Sequence, residues 1–384
     1  MRVLILDTYY ARFLDAVYGR EPSLATASYD TQLARLAAEC FGTSDFYSRH
    51  LREQGVQAAD LVVNCAPLQM RWAAENGMRL RPRGNGARAF VRGVLRRLRG
   101  RRETAAFGSA EAEAIALAQI RAFRPDVLYC QNLAFLTPAG LAAVKREVPL
   151  LVGQIACPLP AREYLAPFDL ILTSFPHFVP RFRAMGIASE YFRIGFEPGV
   201  LERVGDVPRT RGVTFVGGIS AAHGKGTQLL EAIARRVPLE IFGYGADELD
   251  PGSELRRRHR GEAWALDMYR VLCESRITIN RHIDVAEDYA NNMRLYEATG
   301  CGALLITDAK RNLGDLFAVG AEVVSYRSPD EAAALVEQFL HDDTARERIA
   351  RAGQQRTLTS HTYEQRMREL VPILEAALHT ASAA

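Results

Sequence analysis

Short aliphatic runs recur along the whole chain, each followed by a loop and an amphipathic stretch. In the first half they are Val3–Leu6, Leu61–Asn64, Val127–Cys130, Leu150–Gly153 and Leu170–Thr173. In the second half they are Val213–Val216, Leu239–Phe242, Ile277–Asn280, Ala303–Thr307 and Glu322–Ser325. Runs of four to six mostly apolar residues suit parallel strands buried on both faces. The intervening helices carry their own start signals. Ser109 stands ahead of Glu111 and Glu113, where acids complement the helix dipole. Ser328-Pro329-Asp330-Glu331 reads as a capping box with proline at the first helical position. Strands alternating with helices in both halves imply α/β architecture with two doubly wound, Rossmann-like domains. A length of 384 residues is too great for one ordinary core and suits two domains of roughly 150–200 residues. The glycines and prolines of Arg193–Arg211 mark a linker. The expected division is a first domain over 1–200, a second over 201–362, and a terminal helix over 363–384 that packs back on the first. In such sheets ligands bind beyond the carboxyl ends of the strands, so two domains facing each other would share an interdomain cleft.

Composition narrows the partners. The net charge is only +3, so nucleic acid is not expected as a partner. The six cysteines are scattered, without a C-x-x-C pair or a His-Cys cluster, which supports neither a zinc site nor a disulfide framework. They read as small buried apolar residues. The chain enters a strand at once, lacks a signal-peptide core, and has no apolar stretch near the ~20 residues a membrane span needs. A cytoplasmic protein is expected. One segment stands apart: Met78–Arg102 carries ten arginines and no acid, with Phe90, Val91, Val94, Leu95 and Leu98 among them. Residues 87–99 can form a basic amphipathic helix that rests on an anionic membrane surface at the inner face or holds an acidic acceptor. A solvated loop is the plainer reading of the same charges.

The sharpest chemistry lies in Asn280–Asp308, NRHIDVAEDYANNMRLYEATGCGALLITD. A strand leads into a polar loop, then a helix beginning near Asn291 and Asn292. A helix start at a strand's carboxyl edge offers free backbone N–H groups and a positive dipole end to an anion. Glu297, just over one turn on, is placed to accept hydrogen bonds from ribose hydroxyls. Gly217-Gly218-Ile219-Ser220 and His223-Gly224-Lys225-Gly226 follow another strand, an arrangement that lets backbone approach a phosphate. Lys225 is expected to neutralise a leaving diphosphate, with His223 assisting. The spacing is not that of a Walker A loop. Phe242-Gly243-Tyr244-Gly245 and His259-Arg260-Gly261 are either a third contact or simply tight turns.

The ordered pattern N-x-H, NMR-x-x-E-A-x-x-C-G-x-L-L-x-T-D, Leu313–Phe317, Gly320-Ala321-Glu322 and Ser360-His361-Thr362-Tyr363 resembles the C-terminal domain of CgeB-like glycosyltransferases. These are similar to retaining enzymes of the GT-B architecture with an E-x7-E fingerprint. The resemblance spans about Val213–Arg366. It implies a nucleotide-diphosphate sugar as co-substrate, ribose binding by Glu297, and a diphosphate capped by Asn291, Asn292, Met293 and Arg294. Asn280 and His282 join the donor set through the N-x-H motif, and Tyr244 lies in the loop that holds the nucleobase in related enzymes. Retention of anomeric configuration is likewise implied by the resemblance. The first fingerprint position falls at Tyr289 rather than a glutamate.

The first half supplies an acceptor side. The first strand ends in Asp7-Thr8-Tyr9-Tyr10, and Asp45, Gln131, Asn132 and His177 follow other strands or open loops. Aromatic faces and amides suit sugars, and also ordinary loop packing. Gln154 occupies the position where many retaining relatives carry a histidine touching the donor sugar, which makes it the catalytic candidate beside Lys225. Asp45 reads as a helix cap working through Arg52 rather than as a base. Glycosyl transfer builds charge on the departing diphosphate, which fixed dipoles and cations can meet. No D-x-D follows a strand, so neither a metal nor a cofactor is expected. A sugar-nucleotide epimerase or hydrolase, or a binding module without turnover, are the alternatives.

Overall fold

The computed structural model describes residues 1–79, 109–219 and 224–383. The basic stretch from residue 80 to 102 and the residues Ser220 to His223 lie outside the described residues, as does the Lys225 side chain.

The first sheet is built from β1 (Arg2–Asp7), β2 (Gln57–Val62), β3 (Val127–Cys130), β4 (Leu150–Gln154), β5 (Leu170–Thr173) and β6 (Ala188–Tyr191), in the order β2-β1-β3-β4-β5-β6. The second comprises β7 (Arg211–Val216), β8 (Leu239–Phe242), β9 (Ser275–Asn280), β10 (Leu304–Asp308) and β11 (Val324–Tyr326), in the order β11-β10-β9-β7-β8. The second sheet is parallel at every pairing, as are β1–β2, β1–β3 and β3–β4 in the first. Each sheet reverses direction of growth beside its first strand, between β1 and β3 and between β7 and β9. Such switch points open the crevice in which doubly wound sheets bind ligands.

By compactness the chain divides into one unit of Met1–Gln154, Pro160–Leu170 and Leu374–Ala384, and another of Ile155–Leu159 and Ile171–Ile373. In the second unit Val213, Ile241, Ile277, Ile279, Leu304 and Ile306 are wholly buried, with Leu230, Ile233, Ala332 and Val336 from two helices closing over them. Within β7 and β9 the interior hydroxyls pair with one another, Thr214 Oγ1 lying 2.8 Å from Ser275 Oγ, so burial leaves neither unsatisfied.

Most strands sit where the aliphatic runs place them. Three departures have physical causes. β2 begins four residues before the run Leu61–Asn64, because its first half is a partly exposed edge with a mixed pattern. β6 escapes an apolar criterion altogether, since only Ser189 of its four residues is buried. β11 starts at Val324 rather than Glu322, whose carboxylate turns back to accept the Ala318 N–H at 2.7 Å. The expected linker Arg193–Arg211 also contains a short helix, Gly199–Val204.

The helix start at Ser328 is as the sequence marks it. Ser328 Oγ accepts the Glu331 N–H at 3.1 Å. Glu113, on the helix Ser109–Phe123, accepts from both the amide and the hydroxyl of Thr137 at 2.7 Å and so braces the next helix, Pro138–Glu147. Asp45 is a correction: its side chain caps nothing and lies 3.9 Å from Arg49, while Arg52 donates to the Ala58 carbonyl. Among the described residues no helix is long and apolar enough to cross a membrane.

Candidate active site

At the second switch point the loops after β7 and β8 lie against each other. Gly217 N–H donates to the Phe242 carbonyl and Ile219 N–H to the Tyr244 carbonyl, each at 2.9 Å. A side chain at Gly243 would collide with the Gly217 carbonyl oxygen, one at Gly245 with that of Ile219, and one at Gly218 with the Tyr244 ring. These glycines therefore serve the close approach of two loops, a use that the spacing alone did not distinguish from phosphate binding. Tyr244 lies parallel to Trp264, with ring centroids 5.8 Å apart. His259 Nε2 is committed to the Gly243 carbonyl at 2.7 Å.

The other wall is the end of β9. Asn280 and Asn292 hold each other, with Asn292 Nδ2 donating to Asn280 Oδ1 at 3.0 Å and to the Arg281 carbonyl at 3.2 Å. Asn280 Nδ2 also donates to Thr307 Oγ1 at 2.9 Å. Asn292 Oδ1 caps the helix Met293–Gly300 by accepting the Leu295 N–H at 3.2 Å. The asparagine side chains thus build the helix start, and the anion-binding donors left to it are the Met293 and Arg294 amides. Asn291 turns away, donating to the Ser174 carbonyl at 3.1 Å.

Arg281 is the residue the sequence reading missed. It is 8% exposed, its Nη2 is 3.5 Å from the Gly218 carbonyl, and its Nε has no partner among the described residues. A side chain at Gly226 would collide with its guanidinium, so the group lies along the first turn of the helix Gly224–Ala234. Burial lowers its basicity, opposed by Tyr326, Asp308, Asp284 and Tyr244, and a guanidinium stays charged under such shifts. Only a fold can tell which residue at a strand end turns inward, which is why the central residue of N-x-H carried no signal.

His282 Nδ1 is 2.7 Å from Asp308 Oδ1, so that nitrogen carries the proton and Nε2, buried and without a partner among the described residues, is the free end of the dyad. Burial raises the Asp308 carboxyl, but His282 and Lys310 outweigh it and hold the group below its ordinary value. Arg294 spans the crevice floor, its Nε donating to the Val216 carbonyl at 3.1 Å and its Nη1 lying 2.8 Å from Glu297 Oε2. Glu297 is 4% exposed and also accepts from the Tyr269 hydroxyl at 3.5 Å. Burial pushes its carboxyl up, against Arg294 and Tyr269. Tyr289, in the first fingerprint position, stacks on His177 at 5.0 Å. His177 Nε2 contacts the Val285 carbonyl at 3.2 Å, and burial lowers its pKa.

The first sheet's switch point has a polar cluster of its own. Gln131 Oε1 accepts from Thr43 Oγ1 at 2.7 Å, leaving Nε2 without a partner among the described residues. Asn132 Nδ2 donates to Thr8 Oγ1 at 2.9 Å. Tyr9 is buried with its amide on Asn64, whereas Tyr10 is exposed. Gln154 Oε1 accepts from both Tyr129 and Tyr47 hydroxyls, at 2.8 and 3.1 Å.

Burial pushes Asp7 up to about 7, against a hydrogen bond from the Thr8 amide. Asp60, hydrogen-bonded to Ser48, is likewise raised by burial to about 7, with Asp45 and Asp7 adding to the rise. A raised carboxyl pKa favours the folded state below the ordinary value of 3.8 and loses that contribution as pH rises through about 7. Each group is worth on the order of a few kcal/mol. The transition containing this unit should therefore melt lower at pH 8 than at pH 5, and Asp60→Asn should flatten the slope. Equal slopes in calorimetry for the two proteins would refute this assignment.

Among the described residues no group of three or more His, Cys, Asp or Glu side chains is placed to hold a metal ion. Residues 225–372 match the family described as Glycosyl transferase-like. No protein of curated function matches the chain in sequence. Among solved structures, the chain is similar to Anabaena HepE in complex with UDP-glucose, at 12% identity and a TM-score of 0.59, over 98% of this chain and all of that one. It is also similar to sucrose-phosphate synthase from Thermosynechococcus elongatus, at 10% identity and 0.56, over 99% and 100%. A glycosyltransferase from Rickettsia africae aligns at 10% identity and 0.55, over 98% of each chain. The chain thus has the GT-B fold, and its residues 225–372 form a glycosyl transferase-like region.

Proposed function

We propose that this protein is a glycosyltransferase that moves a sugar from a nucleotide-diphosphate donor to a hydroxyl-bearing acceptor. The observation that carries the reading is Arg281, a buried guanidinium at the β7/β9 switch point, within a region that matches the glycosyl transferase-like family. In this reading the diphosphate lies between Arg281, the Met293 and Arg294 amides, and Lys225. The cations and the helix dipole meet the charge that develops on the leaving group, so no metal is required of the mechanism. Glu297 takes the ribose, which requires it to share or release its pair with Arg294. Tyr244 and Trp264 flank the nucleobase. His282, with Nδ1 on Asp308, presents Nε2 to the donor. Acceptor hydroxyls are assigned to the first switch point, around Gln131, Asn132 and Asp7, and Gln154 stays the candidate for the donor sugar on the sequence resemblance alone. CgeB-like kinship and retention of configuration belong to the same proposal and rest on the sequence resemblance.

UDP is the first nucleotide to try, since the HepE structure holds UDP-glucose. A ligand that binds only the folded state stabilises it by RT ln(1 + [L]/Kd), about 2.7 kcal/mol at ~100 times Kd. One nucleoside diphosphate among UDP, GDP, TDP, ADP and CDP should raise the melting temperature well above the others. A flat response to all five would overturn the donor site. A nucleotide response without turnover of any sugar nucleotide would favour a binding module, the reading that Tyr289 in place of the first fingerprint glutamate keeps open.

A further inference from the structure

The His282–Asp308 dyad is held in one orientation from every side. Thr307 pairs with Asn280 across β10 and β9, so Asp308 and the residues after Asn280 leave the sheet next to each other. Asp308 Oδ1 accepts three bonds: from His282 Nδ1–H at 2.7 Å, and from the His282 amide and the Thr307 hydroxyl at 3.2 Å each. Its Oδ2 lies 3.4 Å from Lys310 Nζ, which also donates to the Glu287 carbonyl. With both carboxylate oxygens engaged, the ring that donates through Nδ1 cannot turn over or change tautomer without losing that bond.

The His282 side chain is 1% exposed, and its Nε2 has no partner among the described residues. A proton on Nε2 would leave a buried imidazolium N–H without an acceptor, a heavier cost than an unused lone pair. Arg281 and Lys310 already supply positive charge around Asp308. The ring is therefore neutral, and Nε2 is an acceptor only. Such a nitrogen has nothing to offer a phosphate or carboxylate oxygen; it takes an O–H or N–H.

Position along the sheet selects which group that is. Tyr244 follows β8, Arg281 follows β9 at its switch with β7, and the dyad lies on the β10 side of β9. In the proposed donor pose the nucleobase and the diphosphate take the first two stations, and the ribose hydroxyls go to Glu297. The sugar is the group left for the third station.

We propose that His282 Nε2 accepts a hydrogen bond from a hydroxyl of the donor sugar, and that Asp308 is the positioning residue that fixes the tautomer for it. This assignment rests on the proposed function and deepens it: the dyad selects on the sugar, whereas Arg281 selects on the phosphates. The ligand class is a nucleotide sugar with a free hydroxyl at that point.

The test uses the full chain with UDP and UDP-glucose as probes. His282→Asn keeps an amide N–H where Nδ1–H stands and removes Nε2. In calorimetric titrations it should weaken UDP-glucose binding about tenfold, the contribution of one hydrogen bond, and leave UDP binding within about twofold. Asp308→Ala should show the same split. Histidine 15N spectra of the free protein at about pH 8 read the tautomer directly. His282 should be Nδ1–H in the wild type and move to Nε2–H in Asp308→Ala, a change that a merely structural role would not produce. The wild-type spectrum and the His282→Asn titrations stand by themselves if Asp308→Ala does not fold. An Nε2–H or doubly protonated His282 in the wild type would overturn the proposal. So would an unchanged UDP-glucose affinity in His282→Asn, or an equal loss for UDP and UDP-glucose. Failure of the donor reading itself looks different, because no nucleoside diphosphate would then raise the melting temperature.

Discussion

Lys225→Ala is expected to lower kcat for donor turnover by ~10²–10³, the loss typical of removing a donor aimed at developing charge. Lys225 stands in the first turn of the helix Gly224–Ala234, the same turn that Arg281 lies along. In the proposed reaction the lysine would meet a charge that grows as the glycosidic bond breaks, and its effect would belong in kcat. Glu297→Gln should act differently. Ribose hydroxyls are bound alike in ground and transition states, so losing that contact raises KM for the donor and leaves kcat largely intact. Circular dichroism must first show both variants folded, because Glu297 is buried and is also the partner of half-buried Arg294. Turnover can be followed as donor hydrolysis, without knowing the acceptor. If Lys225→Ala leaves both constants unchanged, the phosphates are held by Arg281 and the Met293 helix start alone.

Gly245→Ala should destabilise the second unit by about 2–5 kcal/mol, from a left-handed backbone and a steric clash together. Gly245 has φ +89°, where an L side chain is strained, and its Cβ would collide with the Ile219 carbonyl oxygen. That oxygen belongs to backbone already fixed by the Ile219 N–H bond to the Tyr244 carbonyl, so it cannot swing aside as a flexible side chain could. The loops after β7 and β8 would have to separate, and Tyr244 would leave its place beside Trp264. Gly314→Ala is the control: nothing lies within 4 Å of its added methyl, and stability should hardly change. Denaturation midpoints for the two variants that match would mean the loops are not locked together. A stable Gly245→Ala protein with normal nucleotide binding would further separate these loops from the donor site.

The sequence by itself determined the fold class, because parallel strands buried on both faces must be short continuous aliphatic runs, and such runs are visible without a structure. It located the helix starts at Asn292 and Ser328 for a similar reason, since capping is a local bond between near neighbours. It found β2, β6 and β11 poorly, because strands at sheet margins tolerate polar residues and lose the pattern. The candidate site was legible as a segment but not as a set of contacts. Asn280, Asn292 and Gly218 stood out as ligand contacts; in the fold Asn280 holds the Asn292 and Thr307 side chains, Asn292 caps a helix, and Gly218 lies against the Tyr244 ring, while Arg281 is buried. Side-chain direction at a strand end depends on which neighbours pack there, and those come from β7, β10 and the helix Gly224–Ala234, far away in sequence. The same holds for His282 and Asp308, which stand 26 residues apart in sequence and which the pairing of β9 with β10 brings together. Local bonds are written in local sequence; contacts across a switch point exist only once the strands have taken their order.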